Sequence, residues 1–464
     1  MDDVKTSNME PAVTGRLVIS ERLASRASDG VLVRALDGRT TFETKHLHEY
    51  CYSAPAPLSH DVALLLGAVR LADRGFNRHH AQSWSRKLQL ELPVFELHTW
   101  RDPEVKDRLE DCLNFISADC WEFEFVKRRR KAPPGGQVHL VKSPDAPRVF
   151  VPFSHGLDSY AQSVLLQARD RVEIVPVNIN ARRRVGAWST LGRRGRPRAV
   201  PVSSQVDEPK HPEQSFRTRS FIFDLMAAYG AAISESHRVL VPENGQGSLG
   251  GSLVPLGAEA PHRSCHPGFT TRLAGLVRAL TGSDVTFEHP GLFQTKGQVL
   301  AALARVEPAA SIWLAEHASC SYDSRHAHRN GRKVHCGVCG NCLLRRLSVY
   351  SARITDPTPY LAENLQATSL ESSFPSGNRP SELHAYSDIA LNSARSMQRL
   401  ADLANDPDAP RVWAEICGLA HYQVRSIQDV EKDMYSLLRQ HHDEWSAFLK
   451  HCGSRSWVTM LAGA

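Results

Sequence analysis

No hydrophobic run in the sequence is long enough to cross a membrane. A spanning helix needs about 20 apolar residues, whereas the longest apolar stretch, residues 61–71, is much shorter and contains Arg70. The first residues also lack the basic segment and apolar core of a secretory signal. We therefore expect a soluble protein in the reducing cytoplasm, where disulfides are rare.

Cysteine is scarce, with 10 among 464 residues, and only four of the 10 have a metal-binding spacing. These four are Cys320, Cys336, Cys339 and Cys342. Four thiolates can surround one Zn²⁺ at about 2.3 Å, and Gly337 and Gly340 would supply the tight turn that the CxxCxxC run requires. Disulfides or idle thiols are the alternative. We expect a structural zinc site, because an all-cysteine site has no open position for catalysis.

The pattern of predicted elements divides the chain into three regions. Residues 1–130 contain strands that alternate apolar and polar residues, with helices between them, and we expect an α+β domain. The basic segment 127–136, which contains Pro and Gly, marks a linker. The predicted elements are strands at 16–20, 31–34, 88–97 and 121–126 and helices at 60–73 and 103–117.

In the second region, residues 145–354, strands alternate with helices. This alternation predicts an α/β fold whose parallel sheet has helices on both faces. The predicted elements are strands at 149–153, 172–177, 199–203 and 239–241, a helix beginning at 159 and a helix at 221–233. Ligands of such sheets bind beyond the carboxyl ends of the strands. Ser154, Glu243 and residues 178–180 are therefore expected to meet in one cleft.

The third region, residues 380–464, is predicted to be all-helical and has no recognisable catalytic grouping. Helical patterns cover residues 389–403, 412–421, 424–440 and 444–451. Their apolar stripes indicate packing against the sheet domain or against a partner. A homodimer is left open.

A polar loop follows the first predicted strand of the second region and reads SHGLDS over residues 154–159. The backbone N–H groups at the start of the next helix lack intrahelical partners, and with the helix dipole they form an anion site. The hydroxyls of Ser154 and Ser159 would add donors. The alternative is an ordinary helix cap, a role for which Ser and Asp are common.

The order of motifs resembles the 7-cyano-7-deazaguanine synthase (QueC) family. Residues 154–159 are similar to the SGGxDS pyrophosphatase loop of that family, and RTR at 217–219, VPENG at 241–245 and TKGQ at 295–298 follow before the four cysteines, as in the family. The resemblance covers about residues 149–347. It implies a fold of the adenine-nucleotide α-hydrolase (PP-loop) type and an enzyme that forms an acyl-adenylate from ATP.

The resemblance also implies roles for individual residues. The implied ATP-binding residues are Ser154, His155, Gly156, Leu157, Asp158 and Ser159. Asp158 would help position Mg²⁺, and Lys296 would offset the charge that develops on phosphate. The implied catalytic residues are Asp158, Ser159 and Lys296. Without the resemblance, Lys296 would be interpreted as a solvated residue after the helix cap Thr295.

One loop position departs from the family, because His155 stands where the family has glycine. If φ is positive there, a residue other than glycine costs about 1–2 kcal/mol, although His tolerates that region better than most residues. The imidazole would then donate to a phosphate oxygen. If the dihedral angles are ordinary, the ring would point to solvent.

In the family the substrate is 7-carboxy-7-deazaguanine, and the resemblance implies which residues would bind it. Glu243, with Asn244 beside it, would accept hydrogen bonds from the guanine-like edge. Arg217 or Arg219 would bind the carboxylate through two hydrogen bonds; the alternative is an exposed arginine pair. His266 lies in a stretch that corresponds to a further substrate loop.

The chain extends by about a domain's length on each side of the region of resemblance. This architecture, together with VPENG at 241–245 and WEFEF at 121–125, looks like the enlarged QueC-like proteins of bacterial anti-phage operons, including QatC and the type IV CBASS homologues. For those proteins the resemblance implies that an amine of a partner protein from the same operon attacks the adenylate. Ammonia as the nucleophile, which leads to the free nitrile, and a non-catalytic nucleotide-binding adaptor are the alternatives.

One segment is strongly basic although the net charge of the whole chain is only +6. Residues 181–198 contain seven arginines, no acid and a single aromatic residue, Trp188. Surfaces that bind RNA or single strands interleave basic residues with several stacking aromatics. We therefore favour a loop over the nucleotide or a contact with an acidic protein, and nucleic acid, including tRNA, is the weaker alternative.

Overall fold

The fold is taken from a computed structural model of the chain. The structure describes residues 14–21, 30–79, 84–134, 147–180, 199–204, 206–210, 212–255, 257, 259–322, 326–329, 331–375, 380, 382–406 and 408–463. Among these residues, every helix is too short or too polar to span a bilayer.

Twelve strands are present in the described part of the chain. They are β1 (Gly15–Ser20), β2 (Val31–Ala35), β3 (Phe42–Glu43), β4 (Lys87–Val94), β5 (Cys120–Lys127), β6 (Arg148–Pro152), β7 (Glu173–Asn180), β8 (Val200–Ser204), β9 (Arg238–Leu240), β10 (Thr286–Glu288), β11 (His328–Arg329) and β12 (Arg332–Lys333). They form a four-stranded sheet, a six-stranded sheet and a two-stranded hairpin.

Fifteen α-helices are present in the same residues, with short 3₁₀ turns at Glu371–Ser373 and Leu403–Asn405. The helices are α1 (Lys45–Tyr50), α2 (Pro57–Gly75), α3 (Leu97–Arg101), α4 (Pro103–Ser117), α5 (Leu157–Asp170), α6 (Arg219–Ile233), α7 (Gly245–Leu253), α8 (Pro267–Thr281), α9 (Lys296–Val306), α10 (Ala310–Glu316), α11 (Gly340–Ser351), α12 (Leu383–Asp402), α13 (Pro410–Gln423), α14 (Ile427–Cys452) and α15 (Trp457–Ala462).

The six-stranded sheet confirms the prediction of an α/β fold with a parallel sheet. Its strand order is β10-β9-β6-β7-β8-β3, and only the edge strand β3 is antiparallel to its neighbour. The central strand β6 is buried along its whole length. Val149 and Val151 pack with Leu166 of α5, while Phe150 packs in the cluster that contains α6 and α8. Alternate residues of one strand therefore face helices on opposite sides of the sheet.

The first sheet differs from the α+β arrangement expected for residues 1–130. Its order is β2-β1-β4-β5, and all three pairings are parallel. Parallel neighbours need a crossover, and α2 and the α3–α4 pair stand before β4 and β5. The alternating burial of β4 and β5 was consistent with either arrangement, because it reports only that one face is covered.

The first sheet and the central sheet share one hydrophobic core. A single cluster of buried residues includes side chains of α2, β4, β5, the central strands and α6. Strand β3 also pairs with β8 of the central sheet. The domain boundary near residue 130 remains a prediction, since the core continues across it.

A buried polar network joins the first sheet to the start of α6. Asp119 accepts hydrogen bonds from both terminal nitrogens of Arg78, at 2.7 Å each, and one from Arg86 at 2.7 Å. Arg86 also donates to Asp73 at 2.6 Å. The other carboxylate oxygen of Asp73 accepts from the backbone N–H and the hydroxyl of Thr218, both at 2.9 Å. The network therefore fixes the residue immediately before α6.

The C-terminal region is all-helical in its described part, as predicted, but two expected helices are one. Residues 424–440 and 444–451 were expected to be separate, whereas α14 continues from Ile427 to Cys452. The apolar periodicity is interrupted by His441 and Glu444, which nevertheless lie on the buried face of the helix. A buried polar pair looks like a helix break when only hydrophobicity is considered.

We expect Asp119→Ala to lower the free energy of unfolding by about 3–5 kcal/mol, because it removes the carboxylate that two buried guanidinium groups share. The measurement is urea unfolding of the full chain. The control is Asp284→Ala, whose partner Arg278 lies 3.4 Å away and whose own side chain is 78% exposed; we expect a change below about 0.5 kcal/mol. Equal effects of the two substitutions would contradict a structural role for the network.

Candidate functional site

The polar loop at 154–159 lies at the carboxyl end of β6, the central strand of the large sheet. Gly156 is the residue that precedes α5, and the helix begins at Leu157. The N–H of Leu157 donates to the carbonyl of Ala318 at 3.4 Å, and Gly156 and Ala318 form an isolated parallel bridge. The next two N–H groups, those of Asp158 and Ser159, belong to the first helical turn, where no intrahelical acceptor exists. This loop therefore has the backbone geometry of an anion site.

His155 has the left-handed conformation that its position requires. Its φ is +59°, so the position that is glycine in the QueC family is strained for a residue with a side chain. The imidazole lies edge-on against Phe153, with 4.9 Å between the ring centroids. Desolvation lowers the pKa of His155 below its ordinary value, and the ring is uncharged at neutral pH. A neutral imidazole at the loop surface can donate one hydrogen bond.

A buried ion pair connects this loop to α9. The Nζ of Lys296 lies 2.5 Å from Oδ2 of Asp158, and Lys296 is only 4% exposed. Lys296 is the first residue of α9, and Thr295 before it forms a complete capping box with Gln298. Thr295 is thus a helix cap, as its sequence position indicated, but Lys296 is not a solvated residue.

Asn244 and Glu243 extend the same cluster from the end of β9. The amide of Asn244 donates to Oδ1 of Asp158 at 3.1 Å and to Oε1 of Glu243 at 2.6 Å. Its side-chain oxygen caps α7 by accepting from the N–H of Gly247 at 3.0 Å. The N-termini of α5, α7 and α9 therefore converge on one point. The positive ends of three helix dipoles favour negative charge there.

Burial is the largest influence on the Glu243 carboxyl and raises its pKa to about 8; the negative charge of Asp158 acts in the same direction, against the opposing effect of Lys296. Gly247 makes room for this carboxyl group, since a Cβ on Gly247 would lie 2.5 Å from Oε1 of Glu243. The Glu243 carboxyl therefore keeps its proton to a higher pH than an ordinary glutamate.

We call Asp158, Arg219, Asp224, Glu243 and Cys265 the Cys265 cluster, because the charges of the first four act on the Cys265 thiol. Burial raises the pKa of this thiol, the carboxyl groups of Glu243, Asp224 and Asp158 raise it further, and Arg219 lowers it. The cluster combines one guanidinium group with three carboxyl groups.

Sequence reasoning missed two members of this cluster, Cys265 and Asp224. Asp224 is 4% exposed, and its Oδ2 has no hydrogen-bond partner among the described residues. Burial raises its pKa well above the ordinary value. The signal available in the sequence was a single acid within the apolar segment 221–233, and such a signal does not reveal which neighbours the acid meets.

The two predicted substrate arginines have different surroundings. Arg217 is buried, donates to Glu259 at 2.9 Å and lies over the ring of Trp84 at 4.6 Å. Arg219 begins α6, and its charge acts on the Cys265 thiol. Arg219 thus influences the same thiol as Asp158 and Glu243, whereas Arg217 pairs with Glu259.

His266 does not have the geometry expected of a substrate-binding residue. Its Nδ1 accepts from the N–H of Gly268 at 2.9 Å and caps α8, and its Nε2 contacts Glu415 of α13. Both ring nitrogens are used within the protein. The expected substrate contact stays a prediction, and the cap is a role that a histidine before Pro267 also suits.

The four predicted metal ligands form one cluster. The sulfur atoms of Cys320, Cys336, Cys339 and Cys342 all lie within 4.8 Å of one another. Sγ of Cys336 and Sγ of Cys342 are 3.7 Å apart, close to the separation of about 3.8 Å that tetrahedral bonds of about 2.3 Å impose. The cluster therefore fits a four-coordinate ion held by thiolates.

Only one of the two glycines expected to form the turn of this cluster is required for it. Gly337 has a φ of +87°, and a Cβ there would lie 2.7 Å from the carbonyl oxygen of Ala362. Gly340 is instead the first residue of α11. The turn after Cys339 is therefore an ordinary helix start.

The cysteine cluster is linked to the loop at 154–159 through residues 317–319. Ala318, which pairs with the loop, is two residues before Cys320. The N–H of Ser319 donates to Nε2 of His335 at 3.1 Å, next to Cys336. The fully buried Arg345 of α11 donates to the carbonyl of His317 at 2.8 Å. The cluster and the helix that follows it therefore hold the segment that supports the loop.

Comparisons with known proteins match only part of the chain. No protein-family model and no solved structure matches it. It is 35% identical over 99 residues to a protein of Ruegeria sp. (strain TM1040), covering 21% of this chain and 37% of the relative. It is 27% identical over 160 residues to a protein of Porphyromonas gingivalis (strain ATCC 33277), covering 33% and 62%. Both relatives are 7-cyano-7-deazaguanine synthases.

A further synthase, from Ruegeria pomeroyi, is 33% identical over 99 residues, covering 21% of this chain and 37% of the relative. The chain thus spans less than two thirds of each of these synthases. Distant similarity to them supports the QueC family resemblance that the order of motifs indicated. The arginine-rich segment 181–198 lies outside the described residues, and its expected contact with a nucleotide or partner stays a prediction.

We expect Cys339→Ala to lose stoichiometric metal and solubility together, because a structural ion of this type contributes directly to folding. Metal content is measured by mass spectrometry of the purified protein. Cys417→Ala is the control, since this half-buried cysteine lies outside the cluster and should keep the metal of the wild type. Unchanged metal content in Cys339→Ala would refute the metal site.

We expect His155→Gly to bind ATP at least as tightly as the wild type, and His155→Val to bind more weakly than His155→Gly. A β-branched residue is a genuine outlier at positive φ, and a penalty of about 1–2 kcal/mol corresponds to roughly a 5- to 30-fold change in affinity. The measurement is titration calorimetry with ATP and Mg²⁺. Equal affinities of the two variants would show that binding does not need the left-handed conformation.

Proposed function

We propose that this chain is an ATP-dependent, QueC-like ligase of the PP-loop type that activates the carboxylate of 7-carboxy-7-deazaguanine as an acyl-adenylate. The observation that carries this proposal is the buried contact between Lys296 and Asp158 at the N-terminus of α5. A buried ammonium group at converging helix N-termini suits a polyphosphate. The similarity to 7-cyano-7-deazaguanine synthases supports the choice of substrate.

In the first step a carboxylate oxygen of the substrate attacks the α-phosphorus of ATP. The bond between that phosphorus and the bridging oxygen breaks, and pyrophosphate leaves. The N–H groups at the start of α5 and the ammonium group of Lys296 would stabilise the charge on the departing oxygens. Asp158 would hold Mg²⁺, which neutralises phosphate charge. Ser154 and Ser159 lie in the same loop and would donate to phosphate.

The charged groups of the Cys265 cluster match the polar groups of the substrate. A guanine-like edge offers an N–H and an amino group, which together require carboxyl acceptors. Asp224 and Glu243 provide such acceptors, and Asp224 has an oxygen without a partner in the described residues. Arg219 is the cation for the substrate carboxylate. Asn244, between Glu243 and Asp158, would keep the two carboxyl groups in their relative positions.

In the second step an amine attacks the acyl carbon, AMP leaves with the electrons of the broken C–O bond, and the amine loses a proton. We propose that the amine belongs to a partner protein of an anti-phage operon, giving a deazaguanine–protein amide. The large regions outside the matched segments, at least 67% of the chain for the longest match, are consistent with a protein acceptor. We also propose that the partner protein docks on these regions and that this chain forms a homodimer.

Ammonia is the second candidate nucleophile. It would give the amide, and a second activation would dehydrate the amide to the nitrile, as the name of the matched synthases suggests. A third candidate is a non-catalytic adaptor, which the strained His155 favours. We further propose that the cysteine cluster holds structural Zn²⁺ and that the protein acts in the cytoplasm.

We expect the wild-type protein to release AMP from ATP, Mg²⁺ and 7-carboxy-7-deazaguanine when an amine acceptor is present. Lys296→Met should lower the rate of AMP formation by about 100-fold or more, because it removes a preorganised positive charge from the phosphate site. Lys432→Met is the control: Lys432 is an exposed residue of α14, and its loss should leave the rate unchanged.

The acceptor is identified in the same reactions. Intact-mass spectra of the operon's proteins would show the added deazaguanine if a protein supplies the amine, and chromatography would show the free nitrile if ammonia does. Absence of AMP with ammonia and with partner protein would overturn both enzymatic candidates and leave the adaptor.

A further inference from the structure

Helix α14 belongs to the region in which the sequence showed no catalytic grouping, yet two of its polar side chains point at the start of α9. His441 is fully buried and Glu444 is 7% exposed. Both lie on the face of α14 that packs into the protein. Burying the polar groups of a histidine and a glutamate costs free energy unless they are hydrogen-bonded, so both side chains require partners inside the protein.

His441 is the last side chain in a series of hydrogen bonds that runs from the backbone of Lys296 to the carbonyl of Met397. The N–H of Lys296 donates to Oε1 of Gln246 at 2.8 Å. The Nε2 of Gln246 donates to Nδ1 of His441 at 2.8 Å, and Nε2 of His441 donates to the carbonyl of Met397 at 3.0 Å. Only this direction satisfies every group, because the Met397 carbonyl can only accept.

The protonation state of His441 agrees with this direction. Burial lowers its pKa to about 4, so the ring is neutral at pH 7 and has one accepting nitrogen and one donating nitrogen. The Gln246 side chain therefore has a fixed orientation. It connects α7, α9 and α14.

Glu444 holds the other side of the same turn. The hydroxyl of Thr295 donates to Oε1 of Glu444 at 2.6 Å and accepts from the N–H of Gln298 at 3.1 Å. Gly297 lies too close to Glu444 for a side chain, since a Cβ on Gly297 would lie 2.8 Å from Oε1 of Glu444. A Cβ on Gly245 would likewise lie 2.6 Å from Leu437 of α14. The helix thus packs directly on the first turns of α7 and α9.

We infer that His441 and Glu444 are positioning residues of the active site, which hold the Thr295–Lys296 turn so that the Lys296 ammonium group is directed at Asp158. This inference rests on the proposed function for its catalytic consequence. It assigns to the C-terminal region a role within the site, in addition to any contact with a partner. An ordinary packing contact would need only an apolar side chain at position 441.

The test compares His441→Phe, which keeps a ring but removes the acceptor, with His441→Asn, whose amide oxygen can replace Nδ1. We expect His441→Phe to lower kcat for AMP formation by about tenfold or more while the KM for ATP stays within about twofold, because misplacement of a catalytic group acts on the reaction step. His441→Asn should recover most of kcat. His442→Phe, at the neighbouring half-buried position, should behave like the wild type.

Hydrogen exchange of the peptide that contains residues 295–300 gives a readout that does not need activity. We expect faster exchange at the start of α9 in His441→Phe and wild-type exchange in His442→Phe, because only the first breaks the link through Gln246. If His441→Phe is insoluble, Gln246→Leu removes the same link from α7 and should give the same two results.

The outcomes separate the inference from the proposed function. A wild-type protein that makes no AMP while His441→Phe speeds exchange would refute the enzyme but keep the positioning role. Unchanged kcat and unchanged exchange in His441→Phe, in a protein that does make AMP, would overturn the inference. Equal loss of kcat in His441→Phe and His441→Asn would also overturn it, since the accepting atom would then be irrelevant.

Discussion

The contact between Lys296 and Asp158 brings together residues that are 138 positions apart in the chain. An ammonium group that is only 4% exposed is stable only when a carboxylate lies beside it. The same point receives the N-termini of α5, α7 and α9, which favour negative charge. The loop carries Asp158, Asn244 donates to Asp158, and the Thr295 cap immediately precedes Lys296, so all three meet at this ion pair.

Each outer part of the protein holds one side of this centre through buried polar contacts. The first sheet reaches the start of α6 through Asp73 and Thr218, beside Arg219. The cysteine cluster reaches the loop at 154–159 through Ala318. The C-terminal helices reach the start of α9 through Glu444. The regions that seemed separate in the sequence are therefore parts of one site.

For His155, the sequence and the structure each supply one part of the explanation for the strained loop. The sequence identified the departure from glycine, and the structure supplies the positive φ that makes the departure matter. Cys265 is the opposite case: its spacing along the chain indicates no site, but the charges of Asp158, Arg219, Asp224 and Glu243 act on its thiol. Nothing in its neighbours along the chain predicts that environment.

By itself the sequence determined the features that depend on nearby residues: the cysteine cluster, the strand, loop and helix at 148–170, the cap at Thr295, and many of the other strands and helices. These follow from local backbone geometry and from periodicity. Only the tertiary structure decided that the first sheet is parallel, that α14 is a single helix, that His266 caps α8, and that Asp224 and His441 face the site. Those outcomes depend on contacts between residues far apart in the chain, such as Gln246 and His441, 195 positions apart, and local patterns carry no information about which distant residue will be the partner.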